Sequence, residues 1–351
     1  MSVLFDTRYP LETGVGRYVR ALAHELQLRG TLAYRFVRSE RRASDDVVLP
    51  THPLHVADQF ALAWGLRRAR PRLFHRPYFL APLLWSGPIV LTIHDVIPLE
   101  YPDSIAGRLV RRLYPELLRL SCARAVRILV PSRATGDALI RHGLATQHRI
   151  VVAPHGAPRI AAREGHVPAV ERTAILFVGD LKPHKNVGTL IQAYAGLTPE
   201  VRSHAPLVIV GDGPEMANLR EQARASGLAA EVRFLGHVPD NRLSALYASA
   251  RLFVVPSFAE GFGLPALDAM VRGIPLVISD TPALRETTAG AAATFDPNNP
   301  GELSSRLMDI LEDDQMRGHL QALGRERARA FSWSITAQLT EAAYRSAIAE
   351  Q

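Results

Sequence analysis

Short apolar runs alternate along this chain with longer segments whose apolar residues recur every three to four positions. The runs at 3–6, 34–37, 73–76, 89–93, 125–130 and 150–153 read as strands of a first half. Those at 174–178, 207–210, 232–235, 253–256 and 276–278 read as strands of a second. They are short and mostly apolar, as strands covered on both faces are. Between them, helical spacing runs through Val19, Leu22, Ala23 and Leu26 to Gly30, over 61–69, over 104–122 as one or two helices, from Val187 onward, over 241–248, and from Pro265 to Gly273. Residues 302–323 and 335–350 are helical as well. Strand and helix in alternation predict an α/β protein with two doubly wound parallel sheets. A stretch rich in Pro, Ala, Gly and charge at 157–172 reads as the linker, between a domain of residues 1–160 and one of residues 171–332.

Composition narrows the class. The 351 residues suffice for two ordinary domains, and 47% hydrophobic with 21% charged residues is a globular balance. The lone Cys122 excludes an internal disulfide framework and fits a reducing compartment, so a cytoplasmic location is expected. The first ten residues have no basic segment leading into a long apolar core, so no signal peptide is expected there. No run approaches the ~20 apolar residues that span a bilayer. The net charge of +7 is unevenly spread: residues 1–170 hold 24 Arg, no Lys and 13 acidic residues, a balance of +11, and the remainder is at −4. Arg108, Arg111, Arg112 and Arg119 are read onto one helical face, a candidate contact for the inner face of a membrane or an anionic acceptor, with plain solvation as the alternative. The chain has two lysines, Lys182 and Lys185, both within LKPHKN; a compact ammonium on a flexible stem suits a phosphate.

Candidate chemistry sits at strand ends. Gly14 and Gly16 follow the first strand and precede a helix, where a backbone without Cβ atoms lets a ligand come close. His94 and Asp95 follow the strand at 89–93, at the carboxyl edge where open α/β sheets bind ligands; a capping or core histidine is the alternative. The densest stretch is 253–280, FVVPSFAEGFGLPALDAMVRGIPLVISD, read as strand, glycine loop, helix and strand. It puts Glu260 in the loop and Asp268 in the first helical turn, beside amides that attract anions.

That stretch resembles the donor-site motif E-x7-E of retaining glycosyltransferases of family 4, with Asp268 in place of the second acid. The resemblance runs through the chain in order: GVGRY, IHD, PHG, VGDLKPHKN, VGDGP, FLGHV and PSFAEGFGLPALDA. The IPLEYPD continuation after His94 is similar to mannosyltransferases of O-antigen and related polysaccharide assembly. The resemblance implies the GT-B fold: an acceptor-side Rossmann-like domain, a nucleotide-sugar domain, and residues 333–351 as a helix crossing back to the first domain. It implies donor contacts at Gly14, Gly16, Gly179, Lys185, His237, Val238, Glu260, Gly261, Phe262, Gly263, Leu264 and Asp268, with His94, Lys185 and Glu260 closest to the chemistry. Asp180 stands where the family has an arginine, and is expected to turn away or to pair with Lys182.

The implied reaction is retaining transfer of a hexose from a nucleotide-diphosphate sugar, GDP-mannose favoured and UDP-glucose second, to a glycan or lipid-linked acceptor. No cofactor and no metal are expected. A sugar-nucleotide epimerase, a nucleic-acid glucosyltransferase drawing on the basic half, and a non-catalytic sugar-nucleotide-binding module are the other classes. The residues offer none of them an equally ordered set of motifs.

Overall fold

In the computed structural model, residues 2–10, 13–53, 55–105, 107–158 and 172–350 are described. The chain divides into two compact units, Met1–Gly156 with Ser332–Gln351, and Ala157–Phe331. Thirteen of the expected linker's positions, 159–171, lie outside the described residues.

The first unit is built on a parallel sheet of β1 (Ser2–Asp6), β2 (Ala33–Arg38), β3 (Val47–Val48), β4 (Leu73–Arg76), β5 (Ile89–Thr92), β6 (Ala125–Val130) and β7 (Ile150–Val152), in the order β3-β2-β1-β4-β5-β6-β7. One face is covered by the helices Val56–Ala69 and Arg108–Arg124, whose Leu62, Leu66, Tyr114 and Leu118 share a core with Phe74, Leu91 and Ile128. The other is covered by the helices Gly14–Arg29 and Trp333–Ala349, whose Leu22, Leu26, Ala337 and Tyr344 meet Val3, Phe5 and Val90. The final helix is tied down by Glu341, which accepts hydrogen bonds from Arg29, Thr31 and Tyr34 at 2.8, 2.5 and 2.7 Å.

The second unit repeats the plan with β8 (Ala174–Val178), β9 (Leu207–Val210), β10 (Val232–Phe234), β11 (Ala250–Val255), β12 (Leu276–Ser279) and β13 (Ala293–Phe295), ordered β10-β9-β8-β11-β12-β13 and parallel throughout. In both sheets the winding reverses next to the first strand of the unit, between β1 and β4 and between β8 and β11. A crevice at the carboxyl ends of such a pair is where doubly wound sheets bind ligands.

Several expectations are corrected. Gly14 and Gly16 are not in a loop before the helix but in its first turn, because Thr13 caps it: Thr13 Oγ1 accepts from Gly16 N at 3.0 Å. The helix read over 61–69 begins at Val56. The segment 302–323 is two helices, Pro300–Glu312 and Asp314–Ala328, parted where Asp313 Oδ1 caps the second through Gln315 N and Met316 N. Asp268 lies past the first turn of its helix, which starts at Leu264. The four arginines lie on one side of the helix Arg108–Arg124, but two of them are engaged by carboxylates. Arg111 pairs with the exposed Asp103 at 2.6 Å, and Arg119 with Glu116 at 2.6 Å.

Candidate active site

The carboxyl edge of β8 and β11 gathers the second unit's polar side chains. The loop after β8 runs through Gly179 to Lys185, and a turn of 3-10 helix, Pro183–Lys185, ends on Asn186 in the left-handed region (φ 55°). Asn186 Nδ2 bridges the carbonyls of Pro256 at 3.0 Å and Pro297 at 2.8 Å, while Phe258 N donates to the His184 carbonyl at 2.8 Å. These bonds tie the loop after β8 to the loop after β11, and across the tie Lys185 Nζ meets Glu260 Oε1 at 2.7 Å.

Ser257 Oγ donates to the same Glu260 oxygen at 2.7 Å. Two donors thus hold one carboxylate oxygen, and Glu260 Oε2 has no hydrogen-bond partner among the described residues. The side chains of Lys185 and Glu260 keep 17% and 8% exposure. An ammonium with donors to spare and a carboxylate with a free oxygen therefore reach solvent side by side. Asp180 stands apart, exposed and 3.6 Å from Lys182. The buried His184 ring is pushed down to about 4 by burial, then by the ammonium of Lys185, so it is neutral at pH 7.

The glycines around this edge let backbone approach backbone. Gly179 N donates to the Val210 carbonyl, and a Cβ on Gly211 (φ 129°) would sit 1.9 Å from the Gly179 oxygen. Gly211 N in turn donates to the Gly236 carbonyl at 2.9 Å, which brings His237 and Val238 to the neighbouring strand end. His237 is exposed, whereas the Val238 side chain is buried in the core beside Tyr247. After Glu260, Gly261 is buried, and Phe262 turns inward onto Phe331, with ring centroids 5.4 Å apart. Gly263 (φ 91°) leads into the helix Leu264–Val271, whose N-terminus no side chain caps. Asp268 is buried in that helix.

Of the residues singled out from the sequence, Gly179, Lys185, His237, Val238, Glu260 to Leu264 and Asp268 belong to this unit. Gly14, Gly16 and His94 belong to the other. His94 follows β5 and donates through Nε2 to the Pro77 carbonyl at 3.2 Å; burial pushes its pKa down to about 4. Its ring packs against Tyr18 (4.9 Å) and His155 (5.4 Å), and Trp333 closes the group on Tyr18 and His155. A buried relay leads away from it, Tyr18 OH to Thr92 Oγ1 (3.0 Å), Thr92 to His75 Nε2 (2.8 Å) and His75 Nδ1 to Tyr344 OH (2.6 Å). Sequence reasoning passed over Ser257, Asn186, His155 and Tyr18 as site residues, although all four lie inside the motifs it quoted. Among the described residues, no three His, Cys, Asp or Glu gather as a metal-binding group.

Two family models match the chain: Glycosyltransferase Family 4 over residues 13–158, and Glycosyl transferases group 1 over residues 159–327. The chain is similar to an O-antigen chain mannosyltransferase B of Escherichia coli, at 30% identity over 98% of this chain and 100% of that protein. It is also similar to a D-inositol 3-phosphate glycosyltransferase of Corynebacterium glutamicum, at 28% identity over 96% and 93%. Among solved structures, the sucrose-phosphate synthase of Thermosynechococcus elongatus aligns over the whole of both chains with a TM-score of 0.78 and 21% identity. The Anabaena protein HepE, solved with UDP and glucose, aligns over 98% and 99% with a TM-score of 0.74 and 18% identity.

Proposed function

Because the chain belongs to glycosyltransferase family 4 and has the GT-B fold, we propose that it moves a hexose, mannose favoured, from a nucleotide-diphosphate sugar to a glycan or lipid-linked acceptor with retention of configuration. GDP-mannose is the favoured donor and UDP-glucose the second. The observation that carries this reading is the Lys185–Glu260 pair, mostly buried yet reached by solvent, at the reversal of the second sheet.

Breaking the anomeric C–O bond builds positive charge on the sugar ring and negative charge on the departing diphosphate. Lys185 meets the diphosphate charge, with the uncapped N-terminus of the helix Leu264–Val271 adding its dipole. Glu260 accepts from sugar hydroxyls through Oε2, held at its other oxygen by Ser257. Asp268 accepts from the ribose hydroxyls. The acceptor hydroxyl attacks on the face that the nucleotide leaves, and its proton passes to the leaving phosphate oxygen. No divalent metal takes part in this scheme, so activity survives EDTA.

A thermal-shift panel of nucleotide sugars tests the donor. GDP-mannose is expected to raise Tm most, because a ligand that binds only the native state stabilises it according to its affinity. The proposal fails if no nucleotide sugar stabilises the protein. It fails also if the donor is converted to a new sugar nucleotide without acceptor, or if the anomeric NMR signal of the product shows inversion.

A further inference from the structure

The helices Val56–Ala69 and Arg108–Arg124 form one layer over one face of the first sheet, because both send side chains into the same core. Each carries a second apolar stripe that points the other way. On the first helix, Val56, Phe60 and Trp64, spaced by four, are 79%, 66% and 61% exposed. On the second, Leu109, Leu113 and Leu120 stand opposite the buried Leu118 and are 68%, 46% and 37% exposed. Leu84, also exposed, bridges the two helices: Arg67 donates to its carbonyl at 3.1 Å, and Arg124 to the next one, Trp85, at 2.7 Å. With Val110, eight of the twelve large apolar side chains exposed among the described residues fall on this layer. Single exposed leucines need no explanation; a contiguous apolar layer does.

Charge selects the occupant. Arg67, Arg68, Arg108, Arg112, Arg119 and Arg124 are exposed around the stripes, and the guanidinium of Arg68 lies 5.7 Å over the Trp64 ring. Glu116, paired to Arg119, is the one exposed carboxylate on the two helices. A second copy of the chain docked face to face would set arginines against arginines. Apolar and aromatic side chains ringed by arginine instead match a bilayer, with its acyl boundary below and phosphates around. We propose that this layer seats the protein on an anionic lipid surface, with Phe60, Trp64, Leu109 and Leu113 entering the acyl boundary and the arginines on lipid phosphates. The inference does not depend on which sugar is transferred.

Trp64 is the natural probe, since Trp85 and Trp333 are buried at 8% and 9% exposure. The full chain is titrated with phosphatidylcholine vesicles and with vesicles containing phosphatidylglycerol, reading Trp emission and co-sedimentation. Binding and a blue shift are expected with the anionic vesicles and not with the neutral ones. Phe60→Gln with Trp64→Gln should weaken partition at least about tenfold, and each exposed arginine changed to Gln about fivefold, with circular dichroism unchanged. Failure to bind anionic vesicles, equal binding to neutral ones, or partition unaffected by the double variant overturns the proposal. So does self-association in ultracentrifugation that the double variant abolishes while vesicle binding persists, which would assign the stripes to a second copy.

Discussion

Both units set opposite charges at the point where their sheet reverses, and they use them in opposite ways. Between β1 and β4, Asp6 and Asp58 are interlocked with Arg8 and Arg76, and all four side chains are fully buried. Two arginines balance two aspartates, and spare guanidinium protons go to the carbonyls of Thr51, Pro53 and Leu80. That crevice is closed by its own side chains. Between β8 and β11 there is one cation and one carboxylate, joined by one bond and still reached by solvent. The lesson is that the same topology offers a site twice, and that saturation of the polar groups decides which one can take a ligand. A satisfied buried network serves rigidity, whereas an incompletely satisfied one at a surface has bonds left to make.

The first way to break this comparison is Arg76→Leu, which leaves two buried carboxylates to share the guanidinium of Arg8 alone. A loss of about 3–5 kcal/mol is expected in denaturant unfolding, and a loss under about 1 kcal/mol would show that the network is not the closure described. Lys185→Ala should do the reverse. Turnover falls roughly 10²–10³-fold while Tm holds, as measured by product formation and calorimetry. Glu260→Ala should follow in severity and exceed Asp268→Ala, because Glu260 is held at the solvent-reached edge and Asp268 is buried within its helix.

Acid provides a milder separation. Burial lowers His75 to about 3 and His94 to about 4, and lowers His155 as well, all in the first unit, against His184, lowered to about 4, in the second. A base whose folded pKa lies below its unfolded value of about 6.5 is fully stabilising above that pH and loses its contribution as pH falls toward the folded pKa. Tm should therefore drop by at least about 5 °C between pH 7 and pH 4.5, and a flat profile would contradict the burial of these rings. The smallest effect is expected for Ser257→Ala, about a tenfold fall in kcat/KM without loss of fold, from a carboxylate that keeps Lys185 but loses its second tether.

The amino-acid order by itself determined what is local. Unbroken apolar runs became β8 and β9 at the expected positions, because a strand covered on both faces favours apolar residues throughout, and β4 and β6 formed where expected with His75, Arg76 and Arg127 among their apolar residues. The ordered motifs placed Lys185 and Glu260 at neighbouring strand ends for the same reason, since each follows its strand by a short loop. Tertiary structure decided the rest. β3, of two residues, is too short to carry a pattern, and β13, Ala-Thr-Phe with its threonine exposed, carries no apolar run; both form by pairing with β2 and β12. Asp6 and Asp58 are 52 positions apart and meet only through the arginines of the folded sheet. The exposed stripes of Phe60, Trp64, Leu109 and Leu113 read in sequence like any helix core. Only the packed layer shows which apolar face the core takes and which it leaves outside, because burial is a property of neighbours and not of the residue.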